Sequence, residues 1–416
     1  MPNLTSLLGL AAIIFLAWLM SSHKDKFPLR IVVSGLALQF VFAVCIMKTE
    51  VGKWFFRQVD KVFVGLLECV NSGSSFLFGD SYLDHRFAFS ILPTIIFFSA
   101  FMSIFYYFGI IQKVVGALAI VMQKTLGTSG AETLSAAANI FVGQTEAPLV
   151  IRPYISTMTK SELNAVMVGG FATMAGGVLG GLSGMGINAG HLLSASVISA
   201  PGALLLSKIM QPEVDTPKTS GHVSIDVDES NVNVLEAIAK GTTGGLQLAL
   251  NVGAMLIVFL ALIAVINGIL DWTAIRLGYV NADGQGLWSL QAALGYIFYP
   301  MAWLIGIESA DCGKAAELMG IKMATNEFIA YGMLADWAPK LENGDISAEV
   351  VSNRTRQIMT YALCGFANFS SIGIQLGGIG GIAPERNGDL AKLGLRAMVG
   401  GTLAAFMTAC IASLLL

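Results

Sequence analysis

Two acidic side chains stand in stretches that otherwise have the composition of a membrane interior. Glu146 lies in the segment Asn-Ile-Phe-Val-Gly-Gln-Thr-Glu-Ala-Pro-Leu at 139–149, and Glu327 lies in Ala-Thr-Asn-Glu-Phe at 324–328. An unpaired charge inside a bilayer is costly, so an ionisable residue there marks a functional site by default. Carboxylate, amide and hydroxyl groups in these segments can recognise the polar groups of a small solute by hydrogen bonding.

The residues around each glutamate predict a helical hairpin. Gly143 and Pro148 flank the polar triplet at 144–146, and both residue types disfavour a continuous helix, because Gly weakens it and Pro removes a backbone donor. We therefore predict a hairpin tip at membrane depth, where irregular backbone survives only when it is buried in protein or lines a wet cavity. Glu327 follows a Gly- and Ala-rich segment of similar length, which predicts a second hairpin.

Each glutamate is followed by an apolar span that glycines and polar residues interrupt. The first span contains Gly-Gly-Phe-Ala-Thr-Met-Ala-Gly-Gly at 169–177, and the second contains Gly-Phe-Ala-Asn-Phe-Ser-Ser at 365–371. Paired interrupted spans in the two halves of a chain are the sequence signature of a secondary transporter built from repeats.

The composition is that of a polytopic helical membrane protein. The 416 residues are 55% hydrophobic and only 12% charged, with 46 Gly, whereas soluble domains average about 25% charged residues. The net charge of −3 gives no basic excess for a nucleic-acid partner. The four histidines are scattered in the sequence, so neither a zinc site nor a histidine-based catalytic triad is predicted.

The spans predict an all-α polytopic membrane protein with about eight transmembrane helices, two re-entrant helical hairpins, two broken helices and one interfacial helix, around an inverted-repeat transport core. Residues 48–80 mix charged and aromatic side chains, as in an amphipathic helix that lies in the membrane interface. Residues 211–236 are acidic and rich in Ser, Thr and Pro, which predicts a solvated loop. The mostly apolar spans lie at 1–22, 31–47, 87–108, 165–207, 241–270, 284–307, 358–384 and 397–416.

These features divide the chain into a scaffold and two transport repeats. The acidic loop is the predicted boundary between the two halves. The predicted units are the N-terminal helices with the interfacial helix at 1–112, the first hairpin and broken helix at 113–210, the polar loop at 211–236, scaffold helices at 237–305, the second hairpin and broken helix at 306–384, and a C-terminal helix at 385–416.

Three motifs resemble the concentrative nucleoside transporter family. They are Gly-Gln-Thr-Glu-Ala-Pro-Leu at 143–149, Asn-Glu-Phe at 326–328 and Gly-Phe-Ala-Asn-Phe-Ser-Ser at 365–371, in the same order and at comparable spacing. The resemblance extends from the first apolar span to the C-terminus, and the length is similar to that of the shorter bacterial form. It implies an ion-coupled nucleoside symporter, not an enzyme, which works by alternating access as a homotrimer in the bacterial inner membrane.

The resemblance also implies which side chains contact the substrate. Those on the nucleobase side are Gln144, Thr145, Glu146 and Val178, and those on the ribose side are Glu327, Asn368 and Ser371. Phe366 either packs beside the ligand or belongs to the core. The structural alternative for the two glutamates is an ion pair with Arg152 for the first and with Lys322 for the second.

For the coupling ion, the resemblance implies a sodium site formed by Asn139, Val142, Thr173 and Met174. A side-chain carbonyl, a hydroxyl and unwound backbone carbonyls are hard neutral donors that suit an alkali cation. Thr173 departs from the family's pattern, which has Ser, so the hydroxyl is kept but the added methyl narrows the site. Two alternatives stay open: Asn139 and Thr173 only bond backbone exposed by the kink, or protons drive transport through Glu146 or Glu327.

Two other classes of protein fit the same residues. A membrane-embedded enzyme acting on nucleosides or lipids would use Glu146 and Glu327 as an acid/base pair. A channel is the other class. Uptake of chemically unchanged nucleoside separates the transporter from the enzyme, and saturable accumulation against a gradient excludes the channel.

Overall fold

The computed structural model of the chain describes residues 2–79, 82, 85, 87–219, 233–281, 284, 286–338, 341–342, 345–346 and 351–416. Helices account for nearly all of the regular structure in these ranges. One short antiparallel pair joins Leu341–Glu342 (β1) to Asp345–Ile346 (β2), with Leu341 opposite Ile346. The predicted all-α class is therefore confirmed.

Five helices precede the first predicted hairpin. They are α1 (Pro2–Leu19), α2 (Leu29–Met47), α3 (Glu50–Phe78), α4 (Leu92–Tyr107), which follows a π-helical turn at Phe87–Ile91, and α5 (Ile110–Leu126). Helix α3 is the amphipathic helix predicted at 48–80. Thr49 caps it by accepting a hydrogen bond from the Gly52 NH at 3.0 Å. Trp54 and Phe55 remain exposed on it, which suits a helix that lies against lipid.

Short helices occur where glycines and polar residues interrupt the apolar spans. The remaining helices are α6 (Gly130–Ala138), α7 (Ala147–Val150), α8 (Arg152–Ile155), α9 (Lys160–Ala172), α10 (Gly176–Gly184), α11 (Ala189–Met210), α12 (Val234–Arg276), α13 (Leu290–Leu304), α14 (Cys312–Ala324), α15 (Glu327–Asp336), α16 (Asn353–Ala362), α17 (Phe369–Ile382) and α18 (Asn387–Leu415), the last after a 3₁₀ turn at Pro384–Arg386. Each half of the chain therefore contains a helical hairpin followed by an interrupted helix.

Burial separates a helical core from an exposed shell. Helices α11 and α18 are mostly buried and contact each other and α9, whereas α12 is mostly exposed and packs on α4. An apolar helix with exposed faces suits a position against lipid. Helices of the described chain that are long and apolar enough to cross a membrane lie in Leu29–Met47, Phe87–Tyr107, Lys160–Gly184, Ala189–Met210, Val234–Arg276 and Pro384–Leu415, and shorter apolar helices lie in Leu4–Leu19 and Phe369–Ile382.

Two predicted segments differ from the structure. The span at 284–307 contains α13, whose 15 residues extend only about 22 Å, less than the ~30 Å hydrocarbon core. The loop at 211–236 is not solvated throughout, because Thr219 is buried and its carbonyl accepts a hydrogen bond from the Gly130 NH at 2.9 Å. Residues 220–232 lie outside the described residues, and α12 already begins at Val234.

A buried ion cluster lies where the first hairpin begins. The Lys208 ammonium of α11 lies 2.6 Å from the Glu132 carboxylate of α6 and 3.3 Å from that of Glu213. It also donates to the Ser161 hydroxyl of α9 at 2.9 Å. The side chains of Lys208 and Glu132 are 3% and 1% exposed, so the pair joins three helices inside the protein.

Candidate functional site

The first hairpin tip is a long irregular turn. Helix α6 ends at Ala138 and α7 begins at Ala147, so residues 139–146 form the tip. Within it the Glu146 NH donates to the Gly143 carbonyl at 3.1 Å, as in a single turn. Because this stretch lacks the continuous bonding of a helix, it offers backbone carbonyls to a ligand.

The polar triplet of this tip is not uniformly buried. Gln144 is 6% exposed, Thr145 is half-buried against Gly378 of α17, and Glu146 is exposed. The Glu146 carboxylate folds back over the neighbouring glycine at 143. Among the described residues no ion pair joins Glu146 to Arg152, so the structural alternative for this glutamate is not formed.

The second hairpin tip is a sharp turn. Helix α14 ends at Ala324 and α15 begins at Glu327. Asn326 caps α15, because its Oδ1 accepts a hydrogen bond from the Ile329 NH at 3.1 Å. Glu327 therefore lies in the first helical turn, where the positive end of the helix dipole stabilises a carboxylate, and the residue is only 5% exposed.

Lys322 does not form a direct ion pair with Glu327 in the part of the chain that the structure describes. Its Nζ instead donates to the Cys364 carbonyl at 3.5 Å, between α16 and α17. Lys322 and Glu327 are both buried.

The first interrupted helix breaks beside the first tip. Helix α9 ends before Thr173, which is extended with φ −128° and ψ 170°. Helix α10 begins at Gly176, and the Gly176 NH donates to the Phe141 carbonyl of the tip at 3.0 Å. Val142 of the tip and Met174 of the break are both buried. This bond joins the tip, which contains Asn139 and Val142, to the break, which contains Thr173 and Met174. The four residues predicted to bind sodium therefore lie in two adjoining segments.

Asn139 carries an unsatisfied buried oxygen at this junction. Its Nδ2 donates to the Ser135 carbonyl at 3.1 Å, whereas its Oδ1 is buried without a hydrogen-bond partner among the described residues. The Thr173 hydroxyl donates to the Gly169 carbonyl at 2.9 Å, and the Asn139 amide lies beside Gly169. Buried acceptors without partners are rare, and a bound ion is one physical reason for such an atom.

The second interrupted helix breaks against the first. Gly365, between α16 and α17, has φ +93°, a conformation that glycine adopts without strain. A Cβ at this position would collide with the Phe171 carbonyl oxygen at the end of α9. The next residue, Phe366, is buried at 8% exposure. The two breaks are therefore in direct contact.

Asn368 connects the second break to the second tip. It caps α17, because its Oδ1 accepts a hydrogen bond from the Ser371 NH at 2.9 Å. Its Nδ2 donates to Glu327 Oε2 at 3.1 Å. Asn368 and Ser371 are 1% and 2% exposed. The three polar residues predicted on the ribose side therefore form one buried, bonded group.

Gln375 is a further polar residue that the sequence did not identify as part of the site. It lies one helical turn after Ser371 and is fully buried. Its Nε2 donates to Gln144 Oε1 and to the Met167 carbonyl, both at 3.0 Å. Gln375 therefore extends the polar group on the nucleobase side into α17. Among the described residues no hydrogen bond joins this group to Glu327 or Asn368.

Val178 lies in the layer next to the second tip. The residue is 1% exposed in α10, and this helix approaches α15 where Gly181 lies beside Phe328. The structure thus places α10 beside the second tip, and the contact of Val178 with a nucleobase stays a prediction. It does not join Val178 to Gln144 by any bond, as expected for a valine.

Two cavities are lined by residues other than the predicted substrate-binding side chains. One of about 700 Å³ opens at the base of the first hairpin beside Lys124, Glu132 and Lys208. The other, of about 420 Å³, lies among apolar residues of α3 and α4 and reaches Phe141.

Comparison with known proteins gives family matches along nearly the whole chain. The family model described as the C-terminus of Na⁺ dependent nucleoside transporters matches residues 191–413, which is more than half of the chain. The corresponding N-terminus model matches residues 8–81, and a nucleoside recognition model named Gate matches residues 88–188.

Similar proteins occur in bacteria and animals. An uncharacterized transporter of Haemophilus influenzae is 46% identical over 100% of this chain and 98% of its own length. Sodium/nucleoside cotransporter 2 of Rattus norvegicus is 43% identical over 99% of this chain and 63% of its own length. Solute carrier family 28 member 3 of Homo sapiens is 40% identical over 99% of this chain and 60% of its own length. The chain therefore spans about three fifths of the length of these animal relatives.

Solved structures of a protein named CNTnw have the same fold. CNTnw in an inward-facing, substrate-bound state is 40% identical, with a TM-score of 0.90 over 100% of this chain and 98% of that chain. A CNTnw variant in an outward-facing state is 39% identical, also with a TM-score of 0.90. These relatives are transporters rather than enzymes. The predicted family is confirmed: this chain belongs to the Na⁺-dependent nucleoside transporter family.

Proposed function

We propose that this chain is a symporter that imports nucleosides together with sodium ions by alternating access. The observation that carries the proposal is the buried Glu327 carboxylate, which Asn368 binds at 3.1 Å where the second tip meets the second break. A buried carboxylate with one neutral amide donor among the described side chains retains acceptor sites for further donors. Two vicinal sugar hydroxyls are suitable donors.

On the ribose side, Glu327 accepts from the hydroxyls, while Asn368 and Ser371 hold its position and add polar contacts. Charge-assisted hydrogen bonds are stronger than neutral ones, so this side supplies most of the affinity. Phe366 is buried next to the same break, and we assign it to the apolar wall beside the sugar.

On the nucleobase side, Gln144 and Thr145 read the polar edge of the base. Amides and hydroxyls can discriminate between bases because they offer directional donors and acceptors. Glu146 is exposed at the same tip and reaches the base directly or through water. Val178 covers the base from α10.

Sodium is the co-substrate that we assign to the junction of the first tip and the first break. The unpartnered Oδ1 of Asn139 and the hydroxyl of Thr173 supply neutral oxygen donors there. Backbone carbonyls of Val142 and Met174 would complete the set, since both belong to interrupted helices. The residues present fit an alkali cation, and the larger Thr173 side chain, in place of the family's Ser, narrows the site.

A proton-coupled symporter is the second candidate. One observation favours it: Glu146 is exposed and has no ion pair with a described residue, so its carboxylate is accessible to water. Sodium has the stronger support, because the junction combines the unpartnered Asn139 oxygen with the Thr173 hydroxyl and unwound backbone, and these neutral oxygen donors suit an alkali cation.

The packing of the two breaks indicates which parts of the chain move together during transport. Contact between Gly365 and Phe171 joins the units 113–210 and 306–384, so we assign both to one transport unit that carries the substrate. The units 1–112, 237–305 and 385–416 form the static scaffold, with the loop at 211–236 between the halves. Exposed apolar surface on α3 and α12 suits lipid and a homotrimer interface, and the bacterial inner membrane is the proposed location.

Uptake into proteoliposomes tests the proposal. Purified protein is reconstituted, and labelled nucleoside is added at fixed pH with external sodium, potassium or choline. We expect saturable accumulation of chemically unchanged nucleoside only with an inward sodium gradient. Undiminished accumulation without sodium, driven by an acid exterior, would transfer the assignment to protons, and chemical conversion of the nucleoside would contradict transport.

A further inference from the structure

Gln375 holds the side chain of Gln144 in one orientation. Its amide nitrogen lies 3.0 Å from two acceptors, Gln144 Oε1 and the backbone carbonyl of Met167. The residue is fully buried in α17, one turn from Ser371. Gly170 of α9 leaves room for this contact, because a Cβ there would press on both glutamine side chains.

The direction of the hydrogen bond follows from the backbone. The oxygen and nitrogen of a side-chain amide have nearly the same size and position. Which atom is which is therefore assigned from the hydrogen-bond partners of each. The Met167 carbonyl is an acceptor only, so the Gln375 atom that faces it must be the amino group. That same amino group faces Gln144, and the Gln144 atom in contact with it is therefore the carbonyl oxygen.

One consequence concerns the other end of the Gln144 amide. With Oε1 bonded to Gln375, the group that remains for a ligand is the Nε2 amino group, which is a donor only. No described residue accepts a hydrogen bond from it. Gln144 thus presents donors to the binding site, although a freely rotating glutamine would offer either a donor or an acceptor.

Packing alone does not explain a glutamine at position 375. Its Oε1 is buried without a hydrogen-bond partner among the described residues, and an unpaired buried acceptor is destabilising. A methionine of similar size would fill the same space without that cost. The amino group, with its two acceptors, is the part of the side chain that the structure uses.

We infer that Gln375 is a positioning residue for base selectivity: by fixing the Gln144 amide, it favours nucleosides whose base presents a carbonyl to Gln144 over those that present an amino group. This inference rests on the proposed function and specifies the substrate class. Uracil O4 and hypoxanthine O6 are acceptors, whereas cytosine and adenine carry amino donors at the corresponding positions. Uridine and inosine are therefore preferred to cytidine and adenosine.

The test compares initial uptake rates of uridine and cytidine, and of inosine and adenosine, in proteoliposomes. In Gln375→Met the Gln144 amide is free to turn over, so each carbonyl-to-amino ratio should fall roughly 3- to 10-fold, the worth of about one hydrogen bond. Gln39→Met is the matched control. Gln39 is also fully buried, donates to the Ile198 carbonyl at 3.0 Å and has an unpartnered Oε1. Because Gln39 lies in α2 and does not bond to Gln144, the uptake ratios of Gln39→Met should equal those of the unaltered protein.

A second variant keeps the test decisive if Gln375→Met does not fold. Gln144→Glu retains an oxygen that accepts from Gln375 but replaces the donor facing the base by an acceptor, so the preference should reverse toward cytidine and adenosine. Unchanged ratios in the folded variants would overturn the role of Gln375. If the unaltered protein transports no nucleoside at all, the proposed function fails instead, and that result is independent of either variant.

Discussion

The two hairpin tips have similar neighbours but are built differently. Eight residues, 139–146, separate the helices of the first tip, whereas α14 and α15 are separated only by Thr325 and Asn326. The first glutamate is exposed, and the second is buried and bonded to Asn368. A long tip presents backbone and amide groups, and a sharp tip presents one fixed carboxylate.

The bases of the two repeats differ as well. The first is held by the buried pair of Lys208 with Glu132 at 2.6 Å. The second is held by Arg354, which donates to the Gly306 carbonyl at 2.8 Å and the Ser413 carbonyl at 2.8 Å. The first base is thus a buried ion pair, whereas at the second base a cation is bonded to neutral carbonyl oxygens.

Lys208→Met should have the largest effect on stability. Removing one partner of a buried ion pair leaves an uncompensated charge, which costs about 3–5 kcal/mol. Thermal unfolding in detergent measures the loss. Arg354→Met is the matched control and should cost less, because only neutral carbonyls lose their donor. Equal losses would show that the two bases do not differ as described.

Gly365→Ala should disrupt the contact between the breaks. The substitution combines a left-handed conformation, which costs about 1–2 kcal/mol, with a collision against the Phe171 carbonyl oxygen. Gly186→Ala provides the control, because Gly186 has φ +95° but open space around it. We expect a clearly larger fall in thermal stability and in uptake for Gly365→Ala. Similar behaviour of the two variants would argue against contact between the breaks.

Glu327→Gln should weaken nucleoside transport far more than Glu146→Gln. Losing a charge-assisted bond to the sugar costs about 1.5–3 kcal/mol, or roughly 10- to 100-fold in apparent affinity. The exposed Glu146 should give a smaller change, because water already solvates it. Concentration-dependent uptake measures both, with thermal stability as the folding control. A greater loss in Glu146→Gln would reverse the assigned roles of the two tips.

Asn139→Ala should give the smallest of these changes. It should affect the sodium dependence of uptake and leave the affinity for nucleoside at saturating sodium unchanged. The concentration of sodium for half-maximal uptake should rise roughly 3- to 10-fold, because one oxygen ligand is lost. Asn164 is the control: it is buried, donates to the Ser207 carbonyl at 3.1 Å and also has an unpartnered Oδ1. An equal rise in Asn164→Ala would remove the reason for placing sodium at Asn139.

The sequence predicted much of the fold because hydropathy and charge are local properties. Most of the apolar spans, the amphipathic α3 and the interruptions around the two glutamates are found in the structure, whereas the span at 284–307 contains only the short α13. The position of the first break was less well defined. Four of the nine residues at 169–177 are glycine, but some of them serve close packing: a Cβ at Gly177 would collide with the Ser99 hydroxyl. The helix breaks only from Thr173 to Ala175.

The residues that were missed act through distant partners. Gln375 lies 231 positions from Gln144, inside a Gly-rich apolar run whose letters carry no sign of this contact. The partner of Lys208 likewise lies in another helix. A single sequence reveals which polar residues are costly in a membrane, but the folded chain decides which of them meet.

The most direct test of the central claim is whether a nucleoside gradient moves sodium. Proteoliposomes with equal sodium on both sides are given external uridine, and the influx of labelled sodium is followed at fixed pH. A symporter with both sites in one transport unit should draw sodium inward, above its equilibrium level, for as long as uridine enters. Entry of uridine without net sodium movement, or with proton influx instead, would contradict the account.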